Sequence, residues 1–235
     1  MSMRIDKYIC DTINITRTQA KTKISKGLVV VDGIVVKTSS MHINEKLAKV
    51  FVDGVELNYN KYVYIMMNKP KGVLSASKDS KGKTAIDLLL PDDRKHDLFI
   101  AGRLDKDTTG FLLITNDGDF AHNILSPKKH VMKTYLVTLE HDNFEGYTEK
   151  FEDGIVLGDG YKCKPAEFEK MSNNICKLQI SEGKFHQIKR MFETLGNRVV
   201  DLKRIAMGEL FLDESLIEGD YKFIDASGVE KISSK

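Results

Sequence analysis

Gly102-Arg103-Leu104-Asp105-Lys106-Asp107-Thr108-Thr109-Gly110 is a charged, turn-rich stretch between two apolar ones, residues 98–101 and 111–115. The flanks are short apolar runs with aromatic and aliphatic side chains, so they read as buried strands and the charged stretch as the loop joining them. Scaffolds of this kind are where functional side chains are commonly carried. Composition alone favours a solvated turn with a capping Asp.

Reading outward, Asp117 is placed to cap a helix running to 125. A strand follows at 134–140, a helix at 144–152, paired strands at 164–169 and 175–180, a helix at 185–195 ending at Gly196, and a strand at 198–205. Upstream, 62–67 reads as a strand, 69–72 as a turn and 85–90 as a short helix behind Thr84. Strands and helices without strict alternation predict an α+β domain, a mostly antiparallel mixed sheet flanked by helices. Asn58-Tyr59-Asn60 is a polar, turn-forming junction. It divides the chain into 1–58 and 59–235.

The first part has its own pattern. Ile5, Ile9 and Ile13 share one face of a helix over 3–13. Thr16 and Gln19 have capping-box spacing and predict a second helix, which Gly27 would stop. Val29-Val30-Val31-Asp32-Gly33-Ile34-Val35-Val36 carries the Asp-Gly signal of a hairpin, and 49–52 reads as a last strand.

Composition is that of a globular protein: 235 residues, 41% hydrophobic and 30% charged. No apolar run approaches the roughly 20 residues of a membrane span, and the first residues lack a signal-peptide core, so a cytoplasmic protein is expected. Cys10, Cys163 and Cys176 make no C-x-x-C pair, and no H-E-x-x-H occurs, so neither a disulfide framework nor a metal site is indicated. The net charge of +2 is small, but its distribution is not even. Arg4, Lys7, Arg17, Lys21, Lys23 and Lys26 crowd the first helices, and Lys184, Lys189, Arg190, Arg198, Lys203 and Arg204 form a second cluster. Two such clusters in a near-neutral chain suggest a two-point grip on a polyanion.

Several stretches resemble known families. Arg4-Ile5-Asp6-Lys7, the Thr-Arg start of the second helix and the run around Val31-Asp32-Gly33 are similar to an S4 RNA-binding domain. Gly102-Arg103-Leu104-Asp105 through Thr108-Thr109-Gly110-Phe111 resembles the catalytic motif of the pseudouridine synthases. Asn68-Lys69-Pro70-Lys71-Gly72, Lys133-Thr134-Tyr135 and Glu182-Gly183-Lys184-Phe185-His186-Gln187-Ile188-Lys189-Arg190-Met191 resemble that family's other motifs, in its order. Ser126-Pro127-Lys128-Lys129-His130 and Ile180-Ser181-Glu182-Gly183 are similar to the branch acting on small-subunit ribosomal RNA.

The resemblance implies isomerisation of a uridine, in which the N1–C1′ bond breaks and a C5–C1′ bond forms. No redox cofactor or energy source is required. The partner it implies is ribosomal RNA, the small-subunit (16S) species in an assembly particle, met by a monomer, with large-subunit RNA or a non-catalytic assembly role as the alternatives. Asp105 falls on the essential carboxylate, Tyr135 on the ring lining the uracil pocket (or a strand residue covering the core), and Lys189 on the cation that keeps the carboxylate ionised in a dry pocket, or on one more phosphate contact. Arg103 could fill the space left by an extruded base, or pair with Asp107, itself read as structural. Lys69, Lys133, His186 and Arg190, with Arg4, Lys7, Arg17 and Lys21 of the S4-like region, are expected to contact RNA. A glycosidase would need a second carboxyl roughly 5–9.5 Å from the first across a sugar, and no acidic candidate has comparable surroundings.

Overall fold

Thr16 closes the capping box that its spacing predicts: its Oγ1 accepts from Gln19 N at 3.2 Å, and its own N–H donates to Gln19 Oε1 at 2.8 Å. That cap starts α2 (Arg17–Ser25), packed on α1 (Ile5–Ile13). Helix α1 begins two residues later than its periodicity suggests, because β1 (Ser2–Arg4) pairs antiparallel with β4 (His42–Asn44). The computed structural model describes residues 2–13, 15–94, 97–126 and 131–234. The chain falls into two units, Met1–Tyr62 and Val63–Lys235.

In the first unit, β2 (Val29–Val31) and β3 (Ile34–Val35) form the expected hairpin, with Asp32 and Gly33 at φ 49° and 82°. A second Asp-Gly hairpin joins β5 (Val50–Val52) to β6 (Val55–Leu57), so 49–52 is not the last strand. The sheet order is β3-β2-β5-β6. Ile5, Tyr8, Ile9, Ala20 and Ile24 pack on Val29, Val31, Val50 and Val52. Tyr59 lies against Tyr8, ring centroids 5.1 Å apart, so the unit extends past the junction expected at Asn58.

The second unit is built on β7 (Tyr64–Lys69), β8 (Phe99–Ala101), β9 (Thr109–Thr115), β10 (Lys133–Leu139), β11 (Glu167–Ser172), β12 (Ile175–Ile180), β13 (Val199–Met207), β14 (Leu210–Phe211) and β15 (Tyr221–Phe223). The sheet runs β11-β12-β10-β13-β9-β7-β15, with β8 on β9 and β14 on β13. Among the described residues its neighbouring strands pair antiparallel except β13 with β9. The fold is α+β, as the pattern of elements implied.

Both sheet faces are buried, which explains the unbroken apolar run of β9. Leu112 and Ile114 face one cluster, with α4 (Tyr147–Asp153) and α5 (Gln187–Thr194). Phe111 and Leu113 face another, with α3 (Gly118–Leu125) and α6 (Ala226–Ser233). Asp117 caps α3 as predicted, accepting from Phe120 N at 3.0 Å. The stretch at 85–90 is a single 3₁₀ turn, Ile86–Leu88, rather than a longer helix. Among the described residues no helix is long and apolar enough to cross a membrane.

Candidate active site

The charged loop between β8 and β9 is fixed through its main chain. Ser75 Oγ donates to Leu104 O at 2.7 Å and accepts from Leu104 N at 3.0 Å. Gly72 N donates to Lys106 O, and Thr108 N to Asp105 O. Beneath the loop, the Lys69 ammonium donates to the carbonyls of Pro70, Lys106 and Thr108 at 2.9, 3.3 and 2.9 Å. At the loop's start the buried Arg204 guanidinium donates to Phe111 O and Gly102 O, at 2.7 and 3.0 Å. None of these bonds uses the Asp105 side chain, which is left 30% exposed.

Helix α5 brings the facing groups. Its cap residue, His186, has φ 48°, and its Nε2 stands 3.7 Å from Asp105 Oδ1. One turn on, Lys189 Nζ lies 3.4 Å from Asp105 Oδ2 and donates to both oxygens of Asp107, at 2.6 and 2.8 Å. That cation is shared between two carboxylates, and its hydrogen bonds hold the Asp107 carboxyl below its ordinary range. Asp105 lines a cavity of about 880 Å³ and an adjoining recess of about 80 Å³. Tyr135, Thr108, Ile180 and Leu202 line the recess, and among the described residues the buried Thr108 hydroxyl has no hydrogen-bond partner. Among the described residues no cluster of His, Cys, Asp or Glu could hold a metal ion.

A half-buried carboxylate thus stands beside a small recess walled by a buried tyrosine, on a loop pinned from below. The RNA pseudouridylate synthase family model matches residues 63–194, and the S4 domain model matches residues 3–47. The chain belongs to the RNA pseudouridylate synthase family. It is 44% identical to "Uncharacterized RNA pseudouridine synthase YtzG" of Bacillus subtilis, over 94% of each chain. It is 41% identical to "Ribosomal small subunit pseudouridine synthase A" of Haemophilus influenzae, covering 98% of this chain and 99% of that one. A crystal structure of a pseudouridylate synthase superposes with a TM-score of 0.69 at 39% identity, over 98% of this chain and 99% of that one.

Asp105, Tyr135, Lys189, His186 and Arg103 line this one recess. Arg103 is exposed and lines both cavities, and Asp107, its suggested partner, is held by Lys189 instead. Three expected RNA contacts do not fit. Lys69 is fully buried under the loop, and Lys133 is buried with its Nζ donating to Val131 O at 2.8 Å. Both are interior supports. Arg190 turns away along α5 to pair with Asp159 at 2.5 Å. Arg204, counted in the basic cluster, is likewise interior. Residues 127–130, part of the branch-like motif, lie outside the described residues. Ser75 and Arg204 were missed as organisers of the site, and nothing in their local sequence marks them.

Burial gives Lys69 a measurable signature. Desolvation pulls its amine from 10.5 down to about 8. Between those two values the unfolded synthase keeps a proton that the folded one has released, so this group makes stability rise with pH there, and below the window the charged form carries its full burial cost. Lys69→Met removes the effect. Urea unfolding at about pH 7.5 and about pH 10 should show the wild type gaining on the Met variant at the higher pH. An equal gap at both pH values would contradict a desolvated Lys69.

Proposed function

We propose that the chain isomerises one uridine of small-subunit (16S) ribosomal RNA to pseudouridine at Asp105. The observation that carries this reading is the Asp105 carboxylate at the mouth of the Tyr135 recess, with Lys189 at 3.4 Å. The full-length similarity to enzymes named for the small subunit supports the choice of RNA.

In this reading the uracil enters the recess and lies against Tyr135, a flat amphipathic surface. Asp105 acts as the ionised carboxylate, whether by adding to the base or the ribose or by taking a C2′ proton. The N1–C1′ bond breaks, the base turns, C5 bonds to C1′, the C5 hydrogen leaves as a proton and N1 gains one. Lys189 offsets the cost of a carboxylate in a site that RNA closes to water. Arg103 stands at the opening, ready to occupy the space of an extruded base. RNA carrying tritium at uridine C5, prepared from each ribosomal subunit, tests the assignment. Release is expected from the small-subunit RNA, and release from large-subunit RNA alone would reverse the substrate.

Affinity is assigned to the S4-like unit. Lys7, Arg17 and Lys21 are exposed there. Arg4 is not equivalent, because its guanidinium is paired with the buried Asp6 at 2.6 Å. Replacing Lys7, Arg17 and Lys21 together by Ala should weaken RNA binding and flatten the log–log salt slope by about 2–3, since each lost phosphate contact removes about 0.7–0.9. An unchanged slope would mean that these cations do not meet phosphate.

A further inference from the structure

Phe185 is 76% exposed and lines the cavity that holds Asp105. Its ring lies parallel to His186, with centroids 3.8 Å apart and 18° between planes. This stack is built rather than loose. His186 sits at φ 48° and ψ 31°, a left-handed conformation that costs a non-glycine residue energy and persists only where the surroundings impose it. The surroundings are a buried polar network. Gln187 Oε1 accepts from Lys184 N at 2.9 Å, and Gln187 Nε2 donates to Glu182 Oε1 at 2.8 Å. Glu182 also accepts from Tyr161 OH at 2.7 Å and Lys164 N at 3.0 Å. The turn that presents Phe185 is thereby held.

One face of the Phe185 ring is covered by His186, leaving the ring otherwise open. The ring lines the large cavity that Asp105 also lines, but not the recess beside Tyr135. His186 stands between the two, 3.7 Å from Asp105 on one side and against Phe185 on the other. A base stacked on Phe185 would thus be a second base, one stack removed from the reacting one.

We propose that Phe185 is a subsite for the nucleobase of a nucleotide flanking the target uridine, held by stacking on the rigid Phe185–His186 pair. The inference rests on the proposed activity. Every base has a π-face, so such a subsite contributes affinity and fixes the strand's path into the cavity.

The test uses the full chain and the ribosomal RNA fragment that contains its mapped modification site. Affinity is measured for the intact fragment and for fragments with an abasic residue at each flanking position in turn. Phe185→Ala should weaken binding of the intact fragment roughly 5- to 150-fold. It should have no further effect on one of the abasic fragments, and Phe185→Trp should restore the loss on the intact one. An unchanged affinity, or an equal loss on every fragment, would overturn the subsite. The second result would mean that Phe185 acts by supporting His186. Tritium release by the wild type from the same fragment separates the two levels. Release with an unchanged Phe185→Ala affinity overturns the subsite alone, whereas no release from any ribosomal RNA overturns the activity and the subsite with it.

Discussion

Asp105→Asn is expected to lower the single-turnover rate by roughly 10³-fold or more, a barrier increase of about 4 kcal/mol, while fold and RNA affinity stay near wild type. The swap keeps size and shape and removes the charge that each route to pseudouridine requires. The loop does not depend on that side chain, because Ser75, Lys69, Gly72 and Arg204 hold it through backbone groups. Lys189 is not orphaned either, since Asp107 keeps both of its short hydrogen bonds. The melting temperature should therefore move by no more than about 2 °C, the scale of a surface substitution. Measuring the rate at saturating enzyme removes any binding contribution. A rate within tenfold of wild type would remove Asp105 from the chemistry.

Gly110→Ala should be strongly destabilising. Gly110 has φ +97°, and a Cβ there would lie 2.2 Å from Arg204 O and 2.9 Å from Arg204 N. Those are backbone atoms of β13, the parallel partner of β9 at this register, so no side chain can swing aside. The conformational strain costs about 1–3 kcal/mol and the overpacking a similar amount. Together roughly 3–5 kcal/mol should lower the melting temperature on the order of 10 °C. Gly118→Ala is the control. It stands in the first turn of α3, and its Cβ would meet nothing within 4 Å. That change should be neutral or stabilising by up to about 1 kcal/mol. Equal melting temperatures for the two variants would contradict the close approach of β9 and β13.

The features legible in the sequence were those fixed by neighbours along the chain. Thr16 with Gln19, Asp32 with Gly33, and Asp117 before α3 each complete a local hydrogen bond or adopt a local backbone geometry, so spacing alone reports them. The same signal at Asp53-Gly54 went unread because Val55-Glu56-Leu57 lacks the unbroken β-branched run that follows Asp32-Gly33. Long-range pairing was not legible: β1 with β4, or β15 at the edge of the sheet beside β7.

The site divides along the same line. Asp105, Tyr135 and Lys189 were found through motif resemblance, and the fold brings them to one opening. The fates of the other cations could not be read, because a sequence gives a charge without its partner. Lys69 finds its acceptors on Lys106 and Thr108, and Arg204 finds its own on Gly102 and Phe111. Only the fold makes them supports rather than RNA contacts. Asp107 was read as structural. Its role is more specific, since it takes the short bonds of the cation that also faces Asp105.

The most direct test of the central claim is the stoichiometry of tritium release from small-subunit ribosomal RNA labelled at uridine C5, with the product nucleosides counted in parallel. The account predicts that the wild type releases one tritium per RNA molecule and forms one pseudouridine with it, and that Asp105→Asn, bound equally well, forms neither. Release without pseudouridine, or equal release by the Asp105→Asn variant, would contradict it.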